Sequence, residues 1–146
     1  MIRILHSARR RGIALVEFAL VIPLLLVLLA GILNYSLMLR TGACVATAAR
    51  AGAQYGSRSP ANATDTSGIQ SAAVNAVPDA KGVTVASTRS CQCPDGTSVS
   101  CSGSCGAGSM VIYIQVTASA SRSAIFNYPG LAFAGSTSST ATMRVQ

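Results

Sequence analysis

The chain has no tryptophan, one histidine, four acidic residues and few aromatics across its 146 residues. Each scarcity removes a class of function. Nucleic-acid binders stack bases on aromatic side chains and cluster cations against phosphates. Here the seven Tyr and Phe and the eleven Lys and Arg are thinly spread, so the net charge of +7 does not describe a nucleic-acid surface. Catalysis is equally short of material. His6 lies in the N-terminal basic segment, Asp65, Asp79 and Asp95 are far apart, and the serines sit in low-complexity stretches without a base beside them. The reading is a non-enzyme with no cofactor and no metal. Charged residues make up only 10% of the chain, against roughly a quarter in soluble domains, which requires an apolar segment that does not face water.

That segment is present. Residues 18–33 are apolar throughout, and residues 13–16 extend the run to the roughly twenty residues that cross a hydrocarbon core. Pro23 lies inside it, where one backbone hydrogen bond is lost and a kink is expected. Arg3, Arg9, Arg10 and Arg11 precede the run, which places the N-terminus in the cytoplasm and the rest of the chain in the periplasm. The apolar core is too long for an ordinary secretory signal, and no small-residue cleavage site follows it. A lone arginine run is weak support for a twin-arginine address. An uncleaved signal-anchor accounts for everything except Gly12 and Glu17. An ionised carboxylate in a membrane segment costs a few kcal/mol and marks a residue with a partner. A cut between Gly12 and Ile13 would create an α-amine at i−4 from Glu17, on the same helix face.

The string Gly12-Ile13-Ala14-Leu15-Val16-Glu17-Phe18 resembles the type IV prepilin processing motif, and Phe18 directly after the Glu is similar to the pilins and pseudopilins of the tight-adherence (Tad, or Flp) pilus. Val16-Glu17-Phe18-Ala19-Leu20-Val21-Ile22-Pro23-Leu24-Leu25-Leu26 and Ala46-Thr47-Ala48-Ala49-Arg50-Ala51-Gly52-Ala53 resemble the N-terminal region of the TadE-like family, over about the first third of the chain. Asn34-Tyr35 stands where members often carry an acidic-aromatic pair. The resemblance implies cleavage after Gly12 by a prepilin peptidase, with Glu17 then neutralising the α-amine of a neighbouring subunit. It implies other pilins or pseudopilins, the pilus assembly platform and the lipid bilayer as partners, in the bacterial inner membrane or an extracellular pilus. The rival is an uncleaved, single-span anchored binding module whose head recognises a periplasmic or surface partner.

Beyond the membrane, residues 34–56 continue as helix. Gly42, Ala46, Ala49 and Ala53 lie close to one face, suited to close approach by another helix or by the chain's own C-terminal domain. Residues 56–60 end the helix. Thr64 or Asp65 caps a second, short helix stopped by Pro78. Val83 and Val85 begin a strand, residues 110–116 form the strongest strand, and residues 137–145 a weaker third. The expected fold is α+β: a basic leader (1–12), a transmembrane and spine helix (13–56), and a small α+β head (57–146) of one helix and about three antiparallel strands. Val83, Val85, Val111, Tyr113 and Ile114 are expected to be buried in part.

Cys91, Cys93, Cys101 and Cys105 bracket a Gly/Ser-rich loop, with Cys44 apart on the spine. Four thiolates fit zinc in number, but an extracytoplasmic loop favours disulfides. A hairpin suggests nested pairing, Cys91 with Cys105 and Cys93 with Cys101, among three connectivities that sequence leaves open. Cys44 is expected to be a small buried hydrophobe, with an intermolecular bridge as the alternative.

Overall fold

A computed structural model of the chain describes residues 5–106, 108–122 and 135–146, with side-chain surroundings from Leu15 onward. Helix α1 runs Leu5–Ser57, so it begins eight residues before the expected Ile13 and takes in Arg9 to Gly12. Leu, Ala and Arg are good helix formers, and one glycine does not stop a helix that propagates from both sides. Pro23 lies inside α1 without ending it. The chain divides into two compact units, Met1–Leu37 and Met38–Gln146, with the division inside α1.

Within the second unit the end of α1 is the central packing element. Val45, Ala48, Ala49 and Ala53 are fully buried, and Gly52 and Gly56 lie on the same face. These positions recur every three or four residues, as one buried face of a helix requires. Ser59, Asn62 and Asp65 then organise the turn into helix α2, Thr66–Asn75. Asn62 Nδ2 donates to the Tyr55 carbonyl at 3.2 Å and Asn62 N donates to Ser59 Oγ at 3.2 Å. Of the two expected caps, Asp65 is the one used: its Oδ1 accepts from Gly68 N at 2.9 Å. Ile69 and Ala73 turn inward.

The Asp65 carboxylate also accepts from Ser67 Oγ at 2.7 Å and, through Oδ2, from Tyr55 Oη at 2.8 Å. The Gly68 N–H, then the Ser67 and Tyr55 hydroxyls, hold its carboxyl below the usual range because each stabilises the anion. A depressed carboxyl contributes stability that is complete above the unfolded value near 3.9 and disappears as pH falls through the folded value. Urea unfolding is therefore expected to show no contribution from this group to pH dependence between about pH 5 and 7 and a loss below about pH 4. An Asp65→Asn variant should lack that acid component. An unchanged acid slope in the variant contradicts the assignment.

Four strands follow: β1 (Val83–Gln92), β2 (Ser98–Val99), β3 (Val111–Arg122) and β4 (Gly135–Arg144). They form one antiparallel sheet in the order β2-β1-β3-β4. The expected α+β arrangement is present, with β2 as an added short strand. β3 extends six residues past the expected end at Val116. Ala118 and Ala120 are too small to mark a strand by hydrophobicity. β3 is nonetheless paired on both sides, Val83 to Ala120 on β1 and Thr137 to Ala120 on β4, and a ladder made twice holds weak strand formers. Ile114, Val116, Ala118 and Ala120 alternate inward and are buried, while Val83, Val85, Val111 and Tyr113 are half-buried.

The core has two adjoining parts. Val45, Ala48 and Ala49 meet Ala73, Val77, Ala118 and Ala120. Ala53 meets Ala63, Ile69, Ile114, Val116 and Val145. At Gly56 an added Cβ would lie 3.0 Å from Ile114 Cγ1 and 3.2 Å from Ile69 Cδ1; at Gly52 it would lie 3.1 Å from Val116 Cγ1. The two glycines let the helix axis approach the sheet and α2 more closely than any side chain would allow.

The four loop cysteines form two disulfides, but not in the nested order. Cys91 pairs with Cys101 and Cys93 with Cys105. Nested pairing follows if the loop is simply the tip of a β1–β3 hairpin. Instead the chain reverses at once through Pro94-Asp95-Gly96: Gly96 N donates to the Cys93 carbonyl at 2.8 Å and Cys93 N to the Thr97 carbonyl at 2.9 Å. Gly96 takes φ +87°, the left-handed region open to glycine. β2 then runs back along β1 on the edge away from β3, with Val99 opposite Cys91. Two residues later Cys101 lies beside Cys91, leaving Cys105 to reach Cys93. Non-reducing peptide mapping should recover these crossed pairs. Replacing Cys91 and Cys101 together by Ala is expected to lower head stability by about 3 kcal/mol, read by denaturant unfolding.

Candidate functional site

The site is the exposed apolar length of α1. Among the described residues this helix is the one long and apolar enough to cross a membrane, over Leu15–Ser57. Leu15, Val16, Phe18, Leu20, Leu24, Leu26 and Ile32 are each at least 60% exposed among the described residues. Ala30 and Asn34, one turn apart, are buried exceptions. In water so much bare apolar surface would be untenable. The helix is long and apolar enough to place this surface in a membrane.

Glu17 stands on this surface, exposed between Val16 and Phe18, and is the one acid in the helix. Gly12 and Ile13 are helical in the backbone; their side-chain surroundings lie outside the described residues, as do those of Arg9 to Arg11. The bond between Gly12 and Ile13 is therefore in a helix, and would have to unwind if it were to enter a protease cleft. Glycine, with no side chain and low helix propensity, lowers that cost.

Residues 12–54 match the family of TadE-like proteins. The TadE-like segment begins at Gly12, contains Glu17 and Phe18, and ends within the buried part of α1. No curated protein matches the chain. No solved structure matches it either.

The four small residues read as a packing face fall into two groups. Ala49 and Ala53 are buried in the core. Gly42 and Ala46 are half-buried, and a Cβ at Gly42 would meet nothing within 4 Å. Val45, Ala48, Gly52 and Gly56, outside the expected stripe, carry the contact as well. The Gly52-x3-Gly56 spacing was the signal available for the last pair. Cys44 is a half-buried free thiol. Among the described residues no group of three or more His, Cys, Asp or Glu could hold a metal ion.

Proposed function

We infer that this chain is a minor pilin or pseudopilin that acts in assembly of a tight-adherence pilus. One observation carries the reading: the TadE-like segment takes in the exposed apolar length of α1, which bears a single carboxylate five residues after Gly12. The chain is inserted with its basic leader in the cytoplasm and cut after Gly12 by a prepilin peptidase. The new α-amine of Ile13 then pairs with Glu17 of a neighbouring subunit. In a dry helical core such a pair sets register more than net stability, because desolvation offsets most of its attraction. Gly42 and Ala46, at the margin of the buried face, offer a neighbouring helix a shallow contact. The disulfide-stapled head faces the periplasm.

Mass spectrometry of the N-terminus in cells with and without the peptidase tests this. A chain beginning at Ile13 only when the peptidase is present is the expected result. A chain retaining Met1 in both strains overturns it in favour of an uncleaved anchor, and a chain beginning after residue 33 overturns it in favour of a secreted domain.

A further inference from the structure

Between Glu17 and Arg40 the helix carries no charged side chain. Its exposed large apolar side chains end with Tyr35, Met38 and Leu39, and Arg40 follows at once, itself exposed. A stretch of about 22 residues is roughly 33 Å long at ~1.5 Å per residue, close to the ~30 Å of a bilayer hydrocarbon core. The exposed apolar surface therefore continues past residue 33, the end of the run expected to cross the membrane, and with a bilayer fitted to this longer stretch Arg40 stands at headgroup depth, on the side away from the basic leader.

The surface beside Arg40 is hollowed. A cavity of about 290 Å³ is lined by Arg40, Cys44 and Thr47 from α1 and by Val77, Pro78 and Asp79 from the segment after α2. Arg40 and Asp79 line the same hollow, yet neither has an ion-pair or hydrogen-bond partner among the described side chains. One cation and one anion, both without a partner among the described side chains and both on the lining of one largely apolar hollow, match a ligand that carries both charges itself.

We propose that this notch seats the phosphoethanolamine headgroup of a bilayer lipid. The Arg40 guanidinium donates to the phosphate oxygens, and the lipid ammonium donates to the Asp79 carboxylate. Both contacts are charge-assisted hydrogen bonds, the stronger kind. A choline headgroup has the same charges but no N–H to donate to Asp79. A glycerol headgroup brings the phosphate and neutral hydroxyl donors, but no cation to balance Asp79, so its contact there lacks the charge assistance of an ammonium. The acyl chains run along the exposed Met38 and Leu39. The inference rests on α1 spanning the bilayer.

The test uses the full chain reconstituted in vesicles of phosphatidylethanolamine, phosphatidylcholine and phosphatidylglycerol, extracted in nonionic detergent, with retained lipid measured by native mass spectrometry. Phosphatidylethanolamine should be enriched about tenfold over phosphatidylcholine relative to the vesicles. Arg40→Gln should abolish retention of all three. Asp79→Asn should erase the preference for ethanolamine and leave phosphatidylglycerol bound. Both side chains are exposed, so neither change threatens the fold. Retained lipid in the vesicle ratio, or an ethanolamine preference that survives Asp79→Asn, overturns the proposal. An alkaline carbonate wash separates the two levels. A chain that stays in the membrane but shows no selectivity defeats the headgroup site alone, whereas a chain released by the wash defeats the spanning helix and the site with it.

Discussion

Glu17→Gln is expected to yield a chain that is still trimmed to Ile13 but enters pilus complexes about two hundred- to five thousandfold less well. Glutamine keeps the shape of the side chain and removes its charge. The α-amine of the neighbouring subunit would then be buried without a counter-charge, and breaking a buried pair in this one-sided way costs about 3–5 kcal/mol. An intact pair would contribute far less than that to net stability, so the size of the loss would measure the orphaned amine. Insertion should not suffer, because a neutral amide is easier to place in lipid than a carboxylate. Co-purification of the mature chain with other pilus subunits, together with counts of surface fibres, reads the effect. Complexes and fibres at normal levels would show that Glu17 pairs with nothing.

The second large effect is expected in the head. Ile69 is fully buried and projects from α2 toward the two glycines of α1: a Cβ at Gly52 would lie 3.3 Å from Ile69 Cγ2, and one at Gly56 3.2 Å from Cδ1. It is a knob set into a groove that the missing side chains create. Ile69→Ala leaves that groove empty and is expected to cost about 2–5 kcal/mol. Gly56→Leu fills it from the other side against Ile114 and Ile69 and is expected to cost about 1–3 kcal/mol. Because the residues touch, the two losses should not add. Thermal unfolding followed by circular dichroism measures both single variants and the double. A Gly56→Leu variant as stable as the parent would mean that α1 does not approach the sheet this closely.

A core built from Ala, Gly and a few β-branched residues explains why the head needs its disulfides. Ala48, Ala49, Ala73, Ala118 and Ala120 bury little apolar area each, and hydrophobic stabilisation scales with that area. The loop from residue 91 to residue 105 adds almost none, since it is mostly Ser, Gly and Cys. Cys91 is the exception: it is buried, and through Cys101 it ties the loop to the core. The outer sheet face is held by hydroxyls, as in the Thr84–Ser119 pair at 2.8 Å and the Thr117–Thr140 pair at 2.9 Å. Such pairs add a few tenths to about 1 kcal/mol each.

Local signals settled much of this protein from sequence. An apolar run bounded by arginines is legible because hydropathy is summed along the chain, and Gly12 with Glu17 is legible because a charge in such a run stands out. A cap at Thr64 or Asp65, the stop near Pro78 and the strands at Val83 and Val111 follow from residue-by-residue preferences, and the structure selects Asp65. What sequence left open depended on which surfaces meet. The buried face of α1 is centred on Val45, Ala48, Gly52 and Gly56 because α2 and β3 lie there, and a stripe of small residues looks the same whichever way the helix is turned. β3 runs on to Arg122 because strands flank it on both sides. The crossed disulfides follow from a reversal at residues 93–97 that folds β2 onto the outer edge of β1. Hydropathy and capping act between near neighbours in the chain; register, rotation and cysteine pairing are decided by close packing between segments that the sequence keeps apart.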